Sequence, residues 1–408
     1  MKRFIIVLAV SFTVLHATGQ ETQLDKDRIR EDLEQLLRDL SENYAYLREK
    51  NIDLNCLRNH YTRKIRTLKN EEDVVLLYEY LLDEFYDSHL ILTTNRQSSF
   101  RLHAPLYVSL QNGKAVITQV WQSRMEDSEH DLVGGEISRI NGVDFSRAID
   151  NFPTHCQNKK APAVREWIAN KLLAGRYNEP RVLSVTLLNG RTIRFNLDSV
   201  RHAARRELLT SERRGHVGVI SINNSLGNHE LISAFDRTLD SLMGTEALVI
   251  DLRNTVDGGN SYVARGIMGR FVAGPQPYQK HSVEEKYDDG PRVERSWTEY
   301  VSPRGTQYTR PVFVLVGRWT GSMAEGLAIG FEGIRRGTVV GTEMERLAGE
   351  MTSFGFKHRS YGYRISTARL FHVNGTPREE YVPTHYVKQT TARKDEVLER
   401  AFQLIDNL

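Results

Sequence analysis

Ile29, Leu33, Leu36, Leu37, Leu40 and Tyr44 recur at spacings of three and four, which lays one apolar stripe along a helix. Leu76, Leu77, Tyr80, Leu81 and Phe85 repeat the pattern, so residues 20–95 read as an N-terminal helical region. From Pro105 the period falls to two. Residues 105–110 and 114–120 alternate around Asn112-Gly113, a dipeptide that favours a tight hairpin. Leu132 to Asp144 reads as a strand and turn, and Val182 to Leu197 as two strands around Asn189-Gly190, giving a β-rich segment over 100–200. Beyond Gly215, apolar runs at 217–222, 247–252 and 311–316 alternate with a helical pattern through Ala234 and Leu239, the mark of an α/β domain over 215–408. Residues 274–310 lack either period and hold prolines, glycines and charges, which predicts an exposed insertion over a site.

Composition narrows the class. A chain of 408 residues exceeds the usual single domain, and 40% hydrophobic with 26% charged residues is the balance of a globular protein. The formal net charge is only +3 and the two signs are interspersed, so nothing points to a nucleic-acid partner. The densest basic stretch, Arg201 to Arg214, also holds Glu207 and Glu212 and reads as a solvated linker or helix face. At the start, Lys2 and Arg3 precede the apolar run Phe4 to Val10, extending to Leu15, and then Ala17-Thr18-Gly19 before Gln20. This is the layout of a signal peptide over 1–19, cleaved near Gly19-Gln20, and it implies export to a periplasmic or extracellular space. The run is too short and interrupted for a stable membrane span, and no later segment qualifies. Cys56 and Cys156 are the two cysteines; in an oxidising compartment they can pair, which sequence leaves open.

Chemistry concentrates at two turns. Strand 312–316 runs into Gly317-Arg-Trp-Thr-Gly-Ser-Met-Ala-Glu325 and an apolar helix, with Ser322 at the turn. Serine there has two readings: an N-cap that satisfies the free N–H groups, or a nucleophile whose oxyanion those N–H groups would hold. Strand 247–252 ends in Asp251-Leu-Arg-Asn-Thr-Val-Asp-Gly-Gly-Asn260, where Gly258 or Gly259 permits backbone geometry closed to other residues. No His-Glu-x-x-His, no phosphate loop and no Gly-x-Ser-x-Gly occurs, so neither metal nor cofactor is called for.

Together the Asp-Leu-Arg…Gly-Gly strand end and the Thr-Gly-Ser-x-x-Glu turn resemble the C-terminal processing (tail-specific) and tricorn-core serine peptidase family S41. The resemblance implies a ClpP/crotonase-like α/β catalytic domain, with the N-terminal helical region and a PDZ-like β-domain over 100–200. It implies a serine peptidase acting on a peptide or protein substrate, with Ser322 as nucleophile and N–H groups of Gly258 and Met323 as oxyanion hole, Gly259 being the alternative glycine. One branch of the family takes its base from a lysine in a Gly-Lys-Gly turn; here Leu347 fills that position and Lys357 lies outside the motif. The tricorn-like branch uses a Ser-His pair, matched by Ser88-His89, with a glutamate that orients it, matched by Glu379 or its neighbour Glu380. The rival readings are a Ser-Lys dyad and a catalytically idle binding protein on the same fold.

Overall fold

The computed structural model describes residues 24–200 and 207–408; the signal-peptide segment and residues 201–206 of the basic stretch lie outside the described residues. The fold mixes helix and sheet, with the α/β arrangement anticipated from sequence. Helices Lys26–Asn43, Leu54–Ile65 and Glu71–Asp83 form the N-terminal region, each started by a side-chain cap: Asp25, Asp53 and Asn70 accept from backbone N–H groups of the first turn. The stripe Ile29, Leu33, Leu36, Leu37 and Leu40 is buried as its spacing requires. On the third of these helices the buried face runs through Val74, Leu77, Tyr78 and Leu81, while Leu76 and Tyr80 stand half-buried at its border.

A six-stranded sheet follows. Its Asn112-Gly113 turn has φ of 50° and 81°, the left-handed pair that a two-residue hairpin demands. Helix Pro162–Ala174, absent from the sequence reading although Pro162 at its start and Gly175 after its end mark it, packs along strand Leu106–Gln111. The disulfide Cys56–Cys156 joins helix Leu54–Ile65 to the loop of this sheet domain.

From Leu209 onward the chain builds a second six-stranded sheet in which Val217–Ile222, Ala247–Asp251, Val312–Val316, Gly337–Gly341 and His385–Tyr386 run parallel, with Leu209–Arg214 antiparallel at one edge. The described end of the basic stretch, Leu209–Arg214, is thus an exposed edge strand, neither linker nor helix; charges along an edge deter pairing with another chain. The central strands are buried on both faces. Ile220, Ile250 and Val314 pack against Phe235, Val263 and Leu327 of helices on one side. Val219, Val249 and Leu315 pack against Leu398 and Ala401 of helix Glu396–Ile405 on the other.

The segment 274–310 departs from expectation. It holds a long hairpin, Gln276–Glu285 against Val293–Val301, whose cross-strand contacts are charged and polar, such as Arg295–Glu285 at 3.0 Å and Ser282–Glu294 at 2.7 Å. Such a hairpin leaves no apolar alternation to read. Its inner strand pairs with Gly362–Phe371, which also pairs with Glu350–Gly355 and with the short strand Ile91–Leu92. That last pairing sets the exit of the helical region against the α/β part.

Candidate active site

Strand Val312–Val316 delivers a turn held at every step. Thr320 donates its hydroxyl to Leu252 O at 3.1 Å, Gly321 N–H donates to Thr255 O at 3.0 Å, and Glu345 N–H donates to Thr320 O at 3.0 Å. At the end of this turn Ser322 is forced to φ 51°, ψ −115°, a left-handed conformation costly for any residue with a Cβ. Helix Met323–Gly333 begins immediately after it. Ser322 and Glu325 form a capping box: the serine side chain faces the Glu325 N–H, and the carboxylate of Glu325 accepts from Ser322 N–H at 2.9 Å. A hydroxyl that accepts from a backbone N–H keeps its own proton free to donate, so the cap and nucleophile readings of this serine are compatible.

Gly258, at φ 68°, comes so close to the turn that a Cβ there would lie 2.9 Å from both Met323 N and Ser322 Oγ. Only a glycine fits. The N–H groups of Gly258 and Met323 have no protein acceptor among the described residues, and they flank the serine as a pair of free donors. Gly259 is excluded from bearing a side chain by the backbone of Leu226 rather than by the serine turn.

His89 lines the same cavity as Ser322, a space of about 340 Å³ that also touches Met323, Gly259, His281 and Arg378. It is 3% exposed. Its backbone N–H donates to Asp87 at 2.9 Å, and the ring Nδ1 lies 2.9 Å from the carbonyl oxygen of Ala348. A carbonyl can only accept, so Nδ1 carries the proton and Nε2 is the basic nitrogen. Nε2 is buried without a hydrogen-bond partner. Burial, with the Arg378 guanidinium nearby, pushes His89 down to about 4, against the opposing pull of Asp87. The ring is neutral at physiological pH.

Ser88 and Glu379 are brought together elsewhere. Both line a neighbouring cavity of about 590 Å³. Ser88 is exposed and accepts from Trp167 Nε1 at 3.2 Å, and the His89 ring is oriented by Ala348 O in place of the expected Ser88–Glu379 relay. Glu379 is half-buried near the Tyr46 hydroxyl, and burial raises its pKa; Glu380 is exposed. Lys357 is ion-paired with Glu31 at 2.8 Å on the helical region's surface and is 67% exposed, while Leu347 is buried beside the nucleophile turn. Among the described residues no lysine lines the Ser322 cavity.

Three groups received no role in the sequence reading. Glu325 accepts from Ser322, Arg346 and Leu347 N–H groups at 2.9, 2.9 and 3.3 Å, and burial pushes its carboxyl up to about 8 despite them and Arg378. Its signal was present, since Ser-x-x-Glu is the capping-box spacing. Arg378, 3% exposed, donates to Leu347 O and Gly349 O, both at 2.9 Å, and so holds the two carbonyls flanking Ala348. His281 sits on the inner hairpin strand between Glu299 and Glu350 at 3.4 and 3.2 Å; although burial opposes its charge, those carboxylates raise it to about 8. Among the described residues no cluster of side chains is arranged to hold a metal ion.

Residues 216–387 match the model of peptidase family S41, and residues 25–83 match the tricorn protease C1 domain. No curated protein matches the chain in sequence. Mature CPAF shares the fold at TM-score 0.64 and 16% identity, over 93% of this chain and 96% of its own. A putative peptidase from Parabacteroides merdae does so at 0.56 and 16%, over 92% and 96%, and the photosystem II D1 C-terminal processing protease at 0.53 and 14%, over 88% and 92%. Residues 216–387 are thus a domain of peptidase family S41, a family of serine peptidases, and the fold along most of the chain is the one these structures share.

Proposed function

We propose that this chain is an exported serine peptidase that cleaves peptide bonds by acyl transfer, with Ser322 as nucleophile and His89 as its base. The observation that carries the reading is the unpartnered Nε2 of a buried, neutral histidine in the cavity of a strained serine. Ser322 Oγ attacks the substrate carbonyl and its proton passes to His89 Nε2, while Nδ1–H stays on Ala348 O. The tetrahedral oxyanion is held by Gly258 and Met323 N–H groups. His89 then returns the proton to the leaving amine, and water, deprotonated by the same nitrogen, releases the acyl group. Glu379 and Ser88 border the neighbouring cavity and act, on this reading, outside the proton path.

Export is supported by the signal-like start and by the Cys56–Cys156 disulfide, which an oxidising compartment preserves. Among the described residues no helix is long and apolar enough to cross a membrane. The sheet domain over 100–200 is read as PDZ-like, but its outer strand is closed from within. Asn170 accepts from Val108 N–H and donates to Val108 O, both at 2.9 Å, and Glu166 accepts from Leu110 N–H at 3.1 Å. Substrate capture by strand addition at that edge is therefore left out of the proposal.

A fluorophosphonate probe tests it. The native protein labels, Ser322→Ala and His89→Ala lose labelling, and Lys357→Ala retains it. A folded wild type that stays unlabelled would place the chain with idle binding proteins, and loss in Lys357→Ala with retention in His89→Ala would restore the dyad.

A further inference from the structure

We propose that His103 is a positioning residue for this reaction, an imidazolium that ties the loop bearing Gly258 to the turn bearing Ser322; the inference rests on Ser322 being the nucleophile. His103 lies on the segment joining the helical region to the sheet domain, and its side chain is 23% exposed. Its Nδ1 is 3.2 Å from Glu345 Oε1 and its Nε2 is 3.5 Å from Asp257 Oδ1.

Both partners are joined to the reacting centre. Asp257 directly precedes Gly258, and its other contacts run to Asn224: the backbone N–H donates to Asn224 Oδ1 at 2.8 Å, and Asn224 Nδ2 donates to Asp257 Oδ2 at 2.6 Å. Glu345 donates its backbone N–H to Thr320 O at 3.0 Å, and its Oε2 is buried without a hydrogen-bond partner, packed against Gly321 where a Cβ would collide. One ring thus reaches the residue before the oxyanion glycine and the residue braced on the nucleophile turn.

The protonation state decides whether the bridge exists. A neutral imidazole has one donor and one acceptor, so it satisfies one carboxylate and turns a lone pair toward the other. The doubly protonated ring donates to both. The charged groups around it agree: Glu345 and Asp257 face the ring, Arg124 acts on Asp257 from the sheet domain, and Arg346 follows Glu345 in the same cavity wall. Burial opposes the charge, yet Glu345 and then Asp257 outweigh it and raise His103 to about 9. Loss of the proton also leaves two carboxylates facing a site where negative charge develops, which raises the barrier to attack.

The test is the rate of fluorophosphonate acylation from neutral to alkaline pH for the full chain and its variants. The wild type holds its rate to about pH 9 and declines above it as the ring deprotonates. His103→Gln keeps a donor but no charge; its neutral-pH rate falls by about 10- to 100-fold through misplacement of the oxyanion donors, and the decline near pH 9 disappears. His103→Lys restores a cation and moves the decline toward about 10. Glu345→Gln, which serves if the His103 variants melt early, draws the decline to lower pH because one carboxylate no longer holds the proton. Wild-type labelling with a His103→Gln rate and alkaline limb equal to wild type overturns the inference alone. An unlabelled wild type overturns the nucleophile reading, and this one with it.

Discussion

Replacing Gly258 by alanine isolates the contact on which the oxyanion site depends. Gly258 sits at φ 68°, where an L-residue costs about 1–2 kcal/mol. The added Cβ would also lie 2.9 Å from Met323 N and Ser322 Oγ, well inside the roughly 3.5–4.0 Å of a comfortable contact. Because Met323 N is backbone at a helix start, the Gly258 loop must recede, carrying its N–H away from the carbonyl. Losing one oxyanion donor lowers the rate by about 10²–10³-fold, or about 2.7–4 kcal/mol in the barrier. Gly113 supplies the control: its φ is 81°, but nothing lies within 4 Å of its would-be Cβ. Gly113→Ala and Gly258→Ala should both lower the melting temperature through backbone strain, while only Gly258→Ala loses acylation. Second-order rates with a fluorophosphonate, measured beside thermal melts, separate the two. Equal acylation by Gly258→Ala and wild type would refute the placement of the oxyanion site.

The remaining expectations concern the base and the disulfide. Since His89 must be neutral to accept a proton and titrates at about 4, the acylation rate of the wild type should rise through that pH and stay level into neutrality; a midpoint near the ordinary imidazole value would contradict its burial. The same depression makes the unfolded chain the better proton acceptor between about 4 and the free-imidazole value of about 6.5. His89's contribution to stability is therefore complete above about 6.5 and is lost as pH falls toward 4, and this acid slope should vanish in urea titrations of His89→Ala. Removing the Cys56–Cys156 bond, with sequence separation 100, should lower unfolding free energy by about 4–5 kcal/mol on loop entropy, read from urea unfolding of the double serine variant; an unchanged midpoint would show that the cross-link constrains nothing.

Periodicity made the helical stripe and the parallel strands legible, because burial on one face or two leaves a direct mark in residue type. The hairpin Gln276–Glu285 and Val293–Val301 was opaque because charge pairs, not alternating apolar positions, hold it. At the site, Ser322, His89 and Met323 line one cavity, and Gly258 closes on Ser322 and Met323. Ser88 lies apart for a local reason: it and His89 are the central residues of a turn closed by Leu90 N–H to Asp87 O at 3.1 Å, and in that turn His89 is buried while Ser88 is exposed. Ala348 was beyond reach of any motif, since its part is played by a main-chain oxygen that every residue possesses. Arg378 was similarly silent, because its partners are carbonyls and not side chains.

The strand Ile91–Leu92 takes its pairing from Gly362–Phe371, so the early-made histidine meets its serine only when nearly all of the chain has been synthesised. A ribosome delivers the base first and its docking strand last. On the proposed mechanism, a growing or truncated chain that ends before Gly362 lacks this docking strand and is expected to be inert. The order of manufacture acts as a safety catch, written into which strand neighbours which.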